Sequence, residues 1–266
     1  MQMGINSKDI IIPEKGNDDN LFQRLSDYIE VFNRSWNKRI KLASDNLIEK
    51  LIKVSEIDRC KRIIPHNYIL FLKKMGLDDG GLLSNALLGT ASIDDIIELY
   101  EDYHEFTPEV FDTSIFPFFY QETGGELSFD LNAKNSNNIL VTDSGEVFDV
   151  ISESFEKLLF QCAFSQFVRY KIYIRFGGSK NSLNKALCNN ESTDILKLLD
   201  DISIKNNMIK IWFSDKKHYI AVGREISYYV YMDKGVSGFV TGNNSKLIKD
   251  ICKELAYTIG VEINEK

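Results

Sequence analysis

Apolar positions in the first third of the chain recur at helical spacing. Leu21, Leu25, Tyr28, Ile29 and Phe32 fall on one helical face, behind a cluster of Asp18, Asp19 and Asn20 that can cap it. After Ser44 the pattern repeats through Leu47, Ile48, Leu51 and Ile52. Ser44 supports a simple N-cap, because Leu47 stands where a capping-box acid would be. The stretch IIPHNYILFLKKMGLDDGG (63–81) predicts a third helix. Pro65 opens it at the first turn, where the missing N–H costs nothing. Tyr68, Phe71, Leu72 and Met75 form its apolar stripe, Lys73 and Lys74 face solvent, and Gly76 is expected to stop it in a left-handed conformation. From Ser92 a further helix places Ile93, Ile96, Ile97 and Tyr100 inward. It leaves Asp94, Asp95, Glu98, Glu101, Asp102 and Glu105 on the rest of its surface.

The period then changes. FPFFYQETGGELSFDLN and NNILVTDSGEVFDVI are aromatic and β-branched runs broken by Thr-Gly-Gly, an Asn cluster and Asp-Ser-Gly, the pattern of strands joined by hairpins. SFEKLLFQCAFSQFV returns to helical spacing through Phe155, Leu158, Leu159 and Cys162. From Tyr170 the order predicts a second module. YKIYIRF is a strand, one helix covers about Leu183 to Leu199, MIKIWFSD, KHYIAVG and ISYYVYMD are strands, and SKLIKDICKELAYTIG closes as a helix. The expected division is 1–168 and 169–266.

Charge changes this picture most. Residues 78–156 hold 18 Asp and Glu against Lys134 alone, a net of −17, whereas 1–77 carry 14 bases against 10 acids and 169–266 carry 16 against 11. Such a segment is either a set of solvated faces paired with the basic flanks or a surface for a basic partner. Composition, with 44% hydrophobic residues and only 4 prolines, is that of a folded globular chain. The N-terminus has no apolar stretch of signal-peptide length, and nowhere do enough uncharged apolar residues run together for a membrane span, so a cytoplasmic location is expected. Cys60, Cys162, Cys188 and Cys252 lack disulfide-framework or zinc spacing.

Motifs for chemistry are sparse. GGSKNS (177–182) lacks the spacing of a phosphate loop, DLNAKNSNNILV lacks the glycine and glutamate of a calcium loop, and no GxSxG occurs. Asp94, Glu98 and Glu101 with His104 are a candidate set of oxygen and imidazole ligands for magnesium or manganese. Trp212, Phe213, Tyr228, Tyr229 and Tyr231 are a candidate stacking platform for single strands, the competing reading being ordinary core and cross-strand pairs.

Pro65, Tyr68, Phe71 and Leu72, Gly76, the Gly80-Gly81 pair, the strand pair with Gly124-Gly125, Leu127 and Asp130, and Ser154-Phe155 with Leu158 and Leu159 occur in an order that resembles the SUKH superfamily. That group includes the yeast Smi/Knr cell-wall regulators. The resemblance covers roughly residues 20–168, with Pro65, Tyr68, Phe71, Gly76, Gly124, Gly125 and Phe155 as its structural motif. It implies an α+β fold, helices on a mainly antiparallel sheet, followed here by a smaller α+β module outside the resemblance. It also implies a non-enzymatic immunity protein that binds a cognate bacterial toxin domain, often a nuclease, without cofactor, metal, direct nucleic-acid contact or membrane. The expected interface is Asp94, Asp95, Glu98, Glu101, Asp102 and Glu105, since a nuclease needs a cationic groove that an acidic surface can mimic. The alternatives are a cytosolic scaffold of the Smi/Knr type and a divalent-metal enzyme using the acidic cluster.

Overall fold

A computed structural model of the chain describes residues 12–57, 61–107, 114–132, 137–189 and 194–264. It shows an α+β protein of two compact units, one Glu14–Phe167 and the other Val168–Lys266 with the N-terminal Met1–Pro13, of which Ile12 and Pro13 are described.

In Glu14–Phe167 the helices are α1 (Leu21–Phe32), α2 (Asp45–Val54), α3 (His66–Met75), the short α4 (Ser84–Leu87), α5 (Ile93–Phe106) and α6 (Phe155–Phe167). The strands β1 (Gly89–Thr90), β2 (Ile115–Gln121), β3 (Glu126–Asp130), β4 (Ile139–Asp143) and β5 (Glu146–Ser152) form an antiparallel sheet in the order β1-β2-β3-β4-β5. Its core is built of rings. Tyr68 of α3 has Phe71, Phe116, Phe118, Phe129 and Phe155 at centroid distances between 5.5 and 5.9 Å, so one helix, two strands and α6 meet on a single side chain.

Two expectations for α3 change. Pro65 sits one residue before the helix with extended ψ of 132°, and its carbonyl accepts the amides of Tyr68 and Ile69. It is the N-cap, where the fixed φ of proline is equally tolerated. Gly76 is right-handed (φ −71°, ψ −16°) rather than left-handed. Glycine is required there by close approach, because a Cβ would lie 2.6 Å from the Leu72 carbonyl oxygen and 2.9 Å from the Ala43 Cβ. The cap near α1 also differs. Asn17 accepts the amide of Asn20 ahead of a 3-10 turn at Asp18–Asn20, and Asn20 makes no side-chain cap. Left-handed backbone does occur at both glycine pairs, with φ +65° and +83° at Gly80 and Gly81 and +85° and +89° at Gly124 and Gly125.

In the second unit, β6 (Ile172–Ser179), α7 (Lys180–Asn189), α8 (Ile195–Lys205), β7 (Ile209–Lys210), β8 (His218–Val222), β9 (Ile226–Met232), β10 (Gly235–Gly242), α9 (Ser245–Ile259) and β11 (Glu262–Asn264) follow in order. The antiparallel sheet runs β11-β6-β10-β9-β8-β7. Its core packs Phe176, Tyr219, Tyr228, Val230 and Val240 against Leu199, Ile202, Ile248, Ile251 and Leu255. Three expectations are corrected. The single helix over 183–199 is two helices, α7 and α8. The strand over 208–215 is only the two residues of β7, since Trp212 and Phe213 lie in a turn. And β10 was not anticipated, although it pairs with both β6 and β9. Its GVSGFVTG sequence is glycine-rich because neighbours leave no room: a Cβ at Gly238 would lie 2.0 Å from the Tyr229 carbonyl oxygen and 2.7 Å from the Phe176 ring.

Candidate functional site

Ser92 has the extended backbone of an N-cap, and its carbonyl accepts the Ile96 amide at 3.0 Å. Just before it the Thr90 hydroxyl accepts the Ser92 amide and donates to Asp95 Oδ2 at 2.5 Å. Ile93 donates to the Gly76 carbonyl at 2.7 Å, which ties the start of α5 to the end of α3. Ile93, Ile96, Ile97 and Tyr100 are buried.

At about 100° per residue, Asp94, Glu98, Glu101 and Glu105 share one narrow arc of α5, with Asp102 and Asp95 on its flank. All six are exposed. Glu101 pairs with Lys50 of α2 at 2.9 Å, both side chains being about half exposed. Asp94, Glu98, Asp102 and Glu105 have no hydrogen bond or ion pair among the described residues. The structure thus brings the six expected site residues onto one face and leaves four of them uncompensated.

Several other described acids of residues 78–156 are held by internal partners. Asp79 is buried and its carboxylate takes four donors, the Gly81, Leu83 and Ser84 amides and the Ser84 hydroxyl. Asp78 accepts the Gly80 amide, Glu156 meets Arg24 at 2.5 Å and Glu153 meets Lys157 at 2.7 Å. Glu126 is buried on β3, where it accepts hydrogen bonds from the Tyr103 hydroxyl of α5 and from Thr142 Oγ1 at 2.9 Å. Burial, together with that carboxylate, pushes the Tyr103 phenol well above its ordinary pKa, so it remains a donor. Sequence reasoning missed this tie, because nothing local marks residues 23 and 16 positions apart as partners.

His104 is not part of the acidic face. Its Nε2 lies 2.7 Å from the Val54 carbonyl, which can only accept, so that nitrogen carries the proton. Among the described residues no three His, Cys, Asp or Glu side chains converge as a metal site. The five rings proposed as a stacking platform do not share a surface either. Tyr228 and Phe213 are fully buried, the Trp212 indole donates to the Pro13 carbonyl at 2.7 Å, and Tyr229 and Tyr231 alternate to the side of the sheet opposite Tyr228. Of the residues in the family motif, Tyr68, Phe71 and Phe155 are core rings.

No protein-family model matches the chain, and neither does a curated protein or a solved structure. Among the described residues no helix is long and apolar enough to cross a membrane.

Proposed function

We propose that the chain is a non-enzymatic immunity protein of SUKH type, working in the cytosol, which occludes a basic, nuclease-like toxin domain with the acidic face of α5. The observation that carries this reading is the stripe of Asp94, Glu98, Asp102 and Glu105, exposed and without cationic partners among the described residues, next to the paired Glu101. Like charges at this density repel one another and lower stability, so they are more readily understood as serving a binding partner. Facing a groove shaped for phosphates, such a stripe steers association and offers carboxylates where phosphates would bind.

The test is co-expression, in a bacterial host, with the toxin-like domain encoded beside its gene. The wild-type chain restores growth, and the D94K/E98K/E101K variant associates at least about tenfold more slowly at low salt. Absence of rescue, or an unchanged association rate, overturns the reading.

A further inference from the structure

Helix α5 carries a second apolar line besides the one it buries. Leu99, Tyr103 and Phe106 follow one another at spacings of four and three residues, which at about 100° per residue confines them to an arc of about 60° between the acidic stripe and the buried Ile96. Leu99 and Tyr103 are half-buried, and Phe106 is 68% exposed. Strand β2 widens the line. Tyr120, 41% exposed, stands opposite Thr90 of β1 and Glu126 of β3 in the antiparallel register, so it shares their face of the sheet. Both of those neighbours are bonded to α5, Thr90 to Asp95 and Glu126 to the Tyr103 hydroxyl, and the Tyr120 phenol acts electrostatically on that of Tyr103.

The surroundings of this seam select its occupant. Asp95 and Asp102 rim it on the solvent side, and α5 holds no Lys or Arg. These carboxylates repel nucleic acid and anionic membranes, and they equally repel a second copy of α5, whose own Asp and Glu would face them. Exposed aromatic side chains gathered beside charge have the composition of an interface centre, not of ordinary surface. The period of the seam then favours a helix over an extended chain. Its side chains recur about every 5 Å along α5, the repeat of a packing helix's i, i+3 and i+7 positions, whereas a strand presents alternate residues about every 7 Å.

We infer that the seam of Leu99, Tyr103 and Phe106, with Tyr120 beside it, anchors an amphipathic helix of the protein partner, whose apolar residues seat on Phe106 and Tyr120 and whose lysines or arginines meet Asp95 and Asp102. The inference deepens the proposed function and rests on its basic partner. The acidic stripe speeds the encounter, and the aromatic seam holds the complex once it has formed.

The probe is a peptide of about eighteen residues with leucines at heptad a and d positions and lysines beside them, added to the full chain. One control has the same residues in scrambled order, which keeps the charge and breaks the stripe, and another has glutamate in place of lysine. The striped lysine peptide shifts the amide resonances of α5 and β2 and binds at least about tenfold more tightly than either control. Phe106→Ala and Tyr120→Ser raise its dissociation rate about tenfold with little change in association, whereas D94K/E98K/E101K slows association. Both seam side chains are substantially exposed, and the thermal unfolding midpoint checks that the variants keep the fold. Equal binding of the scrambled peptide, resonance shifts elsewhere, or wild-type dissociation in both variants overturns the inference, as does a concentration-dependent dimer at α5. If D94K/E98K/E101K slows association while both seam variants behave as wild type, the inference falls and the reading of the acidic face stands. If only the seam variants lose the peptide, the inference stands and the role given to the acidic stripe falls.

Discussion

The two units bury tyrosine in opposite ways. In Glu14–Phe167, Tyr68 is enclosed by five phenylalanine rings and its hydroxyl has no hydrogen-bond partner among the described residues. In the second unit Tyr219 and Tyr228 stack at 5.8 Å and all their polar atoms are engaged. Tyr219 donates to Asp200 at 2.7 Å, Tyr228 donates to the Leu199 carbonyl at 2.9 Å, and Ser203 Oγ bridges both at 3.0 and 2.6 Å. An orphan hydroxyl survives where ring contacts are plentiful. A networked one fixes which helix meets which strand, since its bonds hold in only one arrangement.

Alkaline pH tests the comparison hardest. Burial raises the phenols of Tyr68, Tyr100 and Tyr103 in one unit and of Tyr219 and Tyr228 in the other. Their contribution is complete below the unfolded tyrosine pKa of about 10 and is lost as pH rises above it, because the unfolded chain then releases protons that the folded chain keeps. Each fully buried ring costs up to about 1.4 kcal/mol per pH unit in that range. Denaturation curves at successive pH values, read from Trp36 in one unit and Trp212 in the other, should show the first unit failing more steeply. Equal slopes would mean that the wired phenols are as insulated as the enclosed one.

Phe155→Ala comes next. It removes a ring that touches Tyr68, Phe71, Phe118 and Phe129, and should cost about 3–5 kcal/mol in urea unfolding of Glu14–Phe167. A loss under about 1 kcal/mol would show that the cluster collapses around the gap. The smallest effect is the most diagnostic. Tyr228→Phe should cost about 1 kcal/mol by removing one hydrogen bond each from Ser203 Oγ and the Leu199 carbonyl, which still bond to one another, whereas Tyr68→Phe should be neutral or stabilising. The reverse order of the two would break the comparison.

The sequence made the acidic stripe of α5 legible because a helix turns charge spacing directly into a face. The Thr-Gly-Gly and Asp-Ser-Gly turns announced the hairpins for a similar reason, local backbone demand. What stayed hidden depends on distant neighbours. The sequence suggests a left-handed stop at Gly76, but its backbone is right-handed and its missing Cβ makes room for the Leu72 carbonyl and for Ala43, 33 positions earlier. β10 carries little strand signal because crowding by Tyr229 and Phe176 selects glycine in it. The −17 of residues 78–156 pointed to one surface, yet Asp79, Glu126 and Glu156 are taken up by internal donors. At the candidate site the helix was visible and its tie to the sheet was not, since Tyr103 and Glu126 stand 23 positions apart.

The position of β10 also sets the order in which the second unit can be made. β6 emerges first during synthesis, yet its sheet neighbours are β10 and β11, so it waits for residues 235–264 before either edge is bonded. These long-range pairings make folding slow, and a ribosome paused before residue 235 would expose an unpaired strand to proteases and chaperones.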